Sequence, residues 1–454
     1  MLRTMPLIAA GLAVLLVRLQ PGAEAAGRPR VLARGAVFSS ALRRLPETRR
    51  RDVSYCTNDN GSGYFVGIPA ADEFAGGLDS GVASGYFTEA CDSYSVVAGG
   101  DLNVIGNQGA ATYSFVGSGY SNFITSDHDF IGGGAYNLAA ASGAAIAGGG
   151  TEYYNVQGDP SEGLGSEASG VDAFIGAGDL NAVSGNGSVI GGGGYTYAAT
   201  GATAAGNQIS GTDSFIGAGD QNTISSNQGF IGAGSSNKIS NNYATVGGGD
   251  GNDVSGQFGT IPGGEANTVG GFLGFAAGYH ADTKYAGSFV WSDYVSGSSI
   301  VSDKAKNQFV VRASGGTVIY TNEAPTSGVQ LAAGGGSWGS VSDRNAKTDI
   351  VPLDDESVLA KVVALPLSTW QYTSERGVRH VGPMAQDFYA AFGVGEDDRH
   401  ITSIDEDGVA LAAIKAVNAK LDHENLALRA ANHLVQSRLT ALEAKVAALT
   451  PRER

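Results

Sequence analysis

The sequence predicts a mainly β protein: a parallel β-roll or β-solenoid, followed by a small α+β domain that ends in a long coiled-coil helix. Three observations carry this. Glycine supplies 70 of 454 residues and only 16% of the chain is charged, against roughly 7% glycine and about 25% charge in ordinary globular chains. A phrase of about fifteen residues recurs between Gly85 and Gly278. Beyond Val341 charged residues and helix formers return, and the last stretch keeps an apolar heptad. Glycine is not at every third position and proline numbers only 12, so neither collagen nor a proline-rich disordered chain fits.

The chain opens with residues 1–25, which read as a signal peptide: Arg3, an apolar core from Met5 to Val17, and Ala23-Glu24-Ala25 as a small-x-small cleavage site. This places the mature protein outside the cell, secreted or on the cell surface. Residues 26–55 form a basic flexible leader, with eight arginines between Arg28 and Arg51. The body is acidic. Net charge is -16, and between Asp52 and Ile300 there is no arginine and only Lys238 and Lys284. Such a surface repels phosphates, so nucleic acid is not an expected partner. Cys56 and Cys91 are the only cysteines. In an exported chain they are a disulfide candidate, within or between chains. No set of residues stands at metal-ligand spacing, and no metal or cofactor is expected.

Residues 56–286 hold the repeats. Clear copies are Ser114-Phe-Val-Gly-Ser-Gly, Asp129-Phe-Ile-Gly-Gly-Gly, Ala173-Phe-Ile-Gly-Ala-Gly and Gly229-Phe-Ile-Gly-Ala-Gly. An asparagine commonly follows three residues past the last glycine, as at Asn122, Asn137, Asn222 and Asn237, with an Ile or Val two residues later. So short a period cannot make a core alone and has to stack on its neighbours. Each strand supplies one inward residue, glycine supplies positive φ and close backbone approach, and asparagine is expected in the left-handed conformation at a corner. Strands near 4.8 Å apart give about fourteen coils and a length of about 65 Å. Asp101, Asp179 and Asp220 share one repeat position and read as solvated turn residues. Tyr153, Tyr154, Tyr195 and Tyr243 read as corner packing, with sugar stacking as the alternative.

These Gly-Ala-Gly coils resemble the YadA-like head of trimeric autotransporter adhesins. The resemblance implies a parallel β-roll built as a trimer. The chain ends in a polar helix and Thr450-Pro-Arg-Glu-Arg, so a self-anchoring membrane barrel is not expected. Residues 287–340 are expected to be a cap, short strands and a linker. Gly287-Ser-Phe-Val-Trp-Ser-Asp293 closes the array, residues 308–320 read as two strands around a Gly-Gly turn, and Ala332 to Ser340 is mostly small.

Residues 341–408 form the next domain. It opens Val341-Ser342-Asp343-Arg344-Asn345-Ala346-Lys347 and continues to Leu367-Ser-Thr-Trp-Gln-Tyr372 and His380-Val-Gly-Pro-Met-Ala-Gln-Asp387. A serine and a lysine five apart mean little alone, since a lysine serves as base only if burial disfavours its charge. Together, however, these segments closely resemble the endosialidase-type intramolecular chaperone, which ends many phage tail spikes and bacterial fibre proteins. The resemblance implies a domain that trimerises, nucleates folding of the fibre before it and cuts itself off. Carried over by position, the cut bond is Val341–Ser342, Ser342 is the nucleophile and Lys347 its base, with Asp343 and His380 in supporting roles.

Residues 409–450 read as a coiled coil. Leu411, Asn418, Asn425, Asn432, Leu439 and Val446 fall at a, and Ile414, Leu421, Leu428, Val435, Leu442 and Leu449 at d. The pattern does not choose between two and three strands; the resemblances choose a homotrimer. The expectation is an exported, trimeric, adhesin-like fibre with a self-removing chaperone, a serine-type endopeptidase acting once on itself. Its ligand, on a host, glycan or matrix, is unknown. The alternatives are a spike-like fibre with a glycan-binding or glycan-degrading site, and a passive stalk.

Overall fold

The computed structural model describes residues 64–65, 74–106, 109–154, 160–163, 165–194, 206–295, 297 and 299–449. The expected signal peptide, the basic leader, Cys56 and Tyr195 lie outside them. The chain divides into two compact units, Met1–Ala313 and Ser314–Arg454.

The first unit is a parallel β-solenoid. Its coils contribute two-residue strands to two sheets, here called A and B, of 16 and 14 strands. In sheet A the strands pair in register, as in Phe115↔Phe130↔Ala145↔Phe174 and Phe215↔Phe230↔Thr245. Sheet B does the same, as in Thr223↔Lys238↔Asp253. Side chains alternate across a strand. In Phe130–Ile131 the ring therefore faces out at 41% exposure, while Ile131 is fully buried. The inward columns of Ile, Val and Ala from both sheets, among them Val116, Ile146, Ile175, Ile224 and Ile239, form one continuous core.

Glycine works as expected at two positions of the phrase. A Cβ on Gly134 (φ +92°) would stand 1.9 Å from the carbonyl oxygen of Gly149, and one on Gly132 would stand 2.4 Å from that of Ala147. The asparagine expectation is corrected. The left-handed residue is the one before it: Leu102, Ser121, Tyr136, Leu180, Gln221, Ser236 and Ala266 have φ between 54° and 59°. The asparagine itself is buried and forms a ladder. Nδ2 of Asn137 donates to Oδ1 of Asn122 at 3.0 Å and to the carbonyls of Gly133 and Gly149. The same pattern links Asn207, Asn222, Asn237, Asn252 and Asn267. Each side chain replaces solvent for groups that a closed coil would otherwise leave unpaired. Two ladder steps are long, 29 residues from Asn137 to Ser166 and 26 from Asn181 to Asn207. The first loops out a hairpin, Glu152–Tyr154 against Pro160–Gly163.

The reading of the aspartates changes too. Asp179 is buried, and desolvation holds its carboxyl above the ordinary range, against a hydrogen bond to the Gly150 backbone. The solenoid also continues past Asp293. Phe309–Arg312 pairs in parallel with Phe289–Ser292, Phe309 stacks on Phe289 at 4.8 Å, and Arg312 Nε donates to Asp293 at 2.7 Å. This strand matches the outward-aromatic, inward-aliphatic pattern of the coils, so it extends sheet A instead of turning back at Gly315-Gly316.

The second unit begins with an antiparallel meander, Gly316–Tyr320, Gly328–Ala332 and Trp338–Ser340. The small-residue stretch expected as linker thus contributes a turn and an edge strand. Helix α1, Asp355–Ala364, is capped by the Asp354 side chain accepting from Ser357 N. A hairpin follows, Ser368–Trp370 against His380–Gly382. Helix α2, Ala385–Phe392, ends at left-handed Gly393. Helix α3, Ser403–Leu449, has 47 residues, about 70 Å at 1.5 Å per residue, and starts ahead of the expected 409. Among the described residues no helix is long and apolar enough to cross a membrane.

Candidate functional site

The segment after the meander sets the geometry of Ser342 and Lys347. Val341 directly follows the edge strand, and its N–H donates to the Gly328 carbonyl at 3.3 Å. The chain then makes one turn of 3-10 helix, Arg344–Ala346. Asp343 caps that turn: its Oδ1 accepts from Asn345 N at 2.9 Å and from Asn345 Nδ2 at 3.2 Å. Lys347 closes the turn with its N–H on the Arg344 carbonyl. A tight turn of this kind folds a five-residue spacing back on itself, and Lys347 Nζ lies 2.7 Å from Ser342 Oγ. Both residues are exposed in the single chain.

The structure thus brings together Ser342, Lys347 and, through the turn, Asp343. His380 belongs to a separate cluster. Its Nε2 stands 3.3 Å from Glu375 Oε2, and its ring packs on Trp370 at 4.7 Å and Tyr372 at 5.5 Å. Sequence reasoning did not anticipate Glu375 or the capping of Asn345 by Asp343; the Asp-x-Asn spacing was the available signal for the latter. Cys91 is disulfide-bonded, while Cys56 lies outside the described residues. Among the described residues no group of three or more His, Cys, Asp or Glu side chains gathers as a metal site.

The heptad positions of α3 are without cover. Leu411, Ile414, Leu421, Leu428, Val435, Leu439, Leu442 and Val446 are each more than half exposed. Helix α1 instead covers a different side of α3. Val358, Ala412, Ala413 and Ala416 are buried there, and Lys415 pairs with Asp355 at 2.6 Å. Among the described residues of the second unit, the only other buried hydrophobic is Phe388.

Residues 342–394 match the peptidase family described as chaperone of endosialidase. The match begins at Ser342, and it takes in the 3-10 turn, α1, the hairpin with His380 and α2. No curated protein matches the chain. A parallel β-solenoid followed by a chaperone-of-endosialidase domain is the make-up of a tail-fibre-like protein with its own chaperone.

Proposed function

We propose that the chaperone-of-endosialidase domain at residues 342–394, with helix α3, assembles three copies of the chain, directs folding of the solenoid, and then cuts the Val341–Ser342 bond. The released solenoid is a secreted or surface-held fibre that acts in adhesion. One observation carries the reading: Lys347 Nζ and Ser342 Oγ lie 2.7 Å apart, directly after the bond to be cut.

The chemistry follows from those atoms. Neutral Lys347 removes the Ser342 hydroxyl proton as Oγ attacks the Val341 carbonyl carbon. The C–N bond breaks, and Lys347 returns the proton to the departing Ser342 nitrogen. The product is an ester between Val341 and Oγ, which water hydrolyses to a Val341 carboxylate and a free Ser342. A lysine acts as base only where burial disfavours its charged form. Lys347 is exposed in one chain, so other copies must cover it, and cleavage then follows assembly. The bare heptad seam and the small core of the second unit support that order. Asp343 holds the turn that aims Lys347.

Intact-mass and gel analysis of the expressed protein is the test. Wild type gives a fragment that begins at Ser342; Ser342→Ala and Lys347→Ala leave the bond whole, a loss of at least about a hundredfold for removal of a nucleophile or general base. Cleavage that survives both substitutions would sink the self-cleavage reading.

A second reading, glycan binding, draws on one corner of the solenoid. Tyr94, Tyr113 and His128 form an exposed stack there, with centroids 4.8 Å and 5.3 Å apart, and such ring faces suit the apolar faces of sugars. Glycan binding that Tyr113→Ala abolishes would favour it over a passive stalk.

A further inference from the structure

The outward side of sheet A differs from every other surface of the solenoid. Along the main stack of sheet A, from Gly81 to Phe309, the outward residue of each strand is uncharged, and so is the residue two further on, which is usually Gly or Ala; the one strand off this stack, Gly264–Glu265, carries an exposed Glu265 to its side. The chain carries a formal charge of -16, yet none of it falls on these two columns. Sheet B, by contrast, presents Glu89, Lys238, Asp253 and Asp282 in its outward column.

The sheet A face is also flat. Cβ atoms built on Gly117, Gly132, Gly217 and Gly232 would lie 3.3–3.6 Å from ring carbons of Phe115, Phe130, Phe215 and Phe230. The rings therefore lie down across the glycines instead of standing out. They also stack along the column, Phe115 on Phe130 at 5.7 Å and Phe215 on Phe230 at 5.5 Å, and remain 37–41% exposed.

We infer that this face is where copies of the solenoid pack against one another; the inference rests on the assembly proposed above and names the surface it uses. Three arguments select a second copy as the occupant. A partner that fits a column repeating every coil has to repeat at the same spacing, about 4.8 Å, and sheet A of another copy does so. The fourteen strands from Gly81 to Phe309 span about 65 Å at that spacing, and a strip about 10 Å wide then covers about 650 Å², approaching the ~800 Å² per partner of a stable interface. Identical acidic chains meet here without opposing like charges, which the outward side of sheet B would force together at several steps. Lying in register, the Phe and Thr positions of one copy meet the same positions of the next, so a one-coil slip changes the contact.

Photo-cross-linking on the full chain tests this. Benzoylphenylalanine replaces Phe130 or Phe230 on sheet A, or Gln208 on the outward side of sheet B, and light scattering gives the mass of each assembly. The aromatic-for-aromatic exchange at an exposed position leaves the coil intact. The inference predicts a shift from the one-chain band to two- and three-chain bands for Phe130 and Phe230, and none for Gln208. If the protein has the mass of a trimer but the sheet A probes fail to link copies, the face is wrong and the assembly reading survives. If those probes capture a different protein, a second copy is not the occupant. If the chain is a monomer, the assembly reading falls and takes the inference with it.

Discussion

Asp129 occupies the position just ahead of Phe130, where other coils place Ser114, Ala144, Ala173, Ser214 or Gly229. It is 2% exposed. Its Oδ1 accepts from Ala144 N at 2.9 Å, whereas its Oδ2 is buried without a partner. Burial pushes its carboxyl up to about 7 from 3.8. The unfolded chain therefore releases this proton well before the folded one does. The protonated group costs no stability below about pH 4, and stability is lost as the pH rises through about 7. Asp129→Asn keeps the acceptor and removes the charge. It is expected to stabilise the fold above pH 7 by about 1–3 kcal/mol, with no gain below pH 4, read as a higher apparent thermal midpoint above pH 7 only. The Asn ladder gives a second test. Asn222→Ala removes the bonds to Asn207 and Gly234 and strands the incoming donors of Asn237. The expected loss is about 2–4 kcal/mol, read as a lower denaturant midpoint. The recurrence of asparagine was plain in the sequence, but its role was not. Its partners lie 15 residues away in the next coil, and a corner and a ladder call for the same residue at the same phase.

At the scale of elements, α3 is a long helix with one face uncovered. Leu421→Glu or Leu428→Glu changes no contact to α1, which lies along Ala412, Ala413 and Ala416, and leaves helix propensity nearly unchanged. Either substitution is expected to give monomers by light scattering and to leave the Val341–Ser342 bond uncut, because the proposed mechanism puts assembly before cleavage. The coil is the other unit. Deleting Phe230 to Ala244 removes one fifteen-residue repeat and brings Thr245 into the place of Phe230 beside Phe215. Unfolding should stay cooperative, whereas removing seven residues exchanges inward for outward positions and should destroy it. The inward columns and the heptads were legible because each rests on local spacing, whereas the Ser342–Lys347 pair was legible only through the resemblance of the segments around it. The end of the solenoid was not. Phe309–Arg312 reads as a hairpin arm by its own residues, and only stacking on Phe289 makes it another coil. The hairpin Glu152–Tyr154 against Pro160–Gly163 was hidden for a similar reason, since the ladder resumes in register at Ser166.

For the whole molecule, the repeats pose a register problem. The coils are so alike that a slip by one costs little locally, and a long solenoid closes many non-local pairs before any core exists. On the proposed reading, three chains held together at α3 meet in register, and the coils then close from that end. On the same reading, cutting the Val341–Ser342 bond removes the aligning domain, and the finished solenoid is expected to persist because unfolding is slow, not because it can reform. The most direct measurement compares two preparations of residues 52–341, one expressed alone and one released from the full chain by its own cleavage. The account predicts aggregates from the first and a soluble, denaturant-resistant trimer from the second. An equally resistant trimer from the separately expressed solenoid would contradict it.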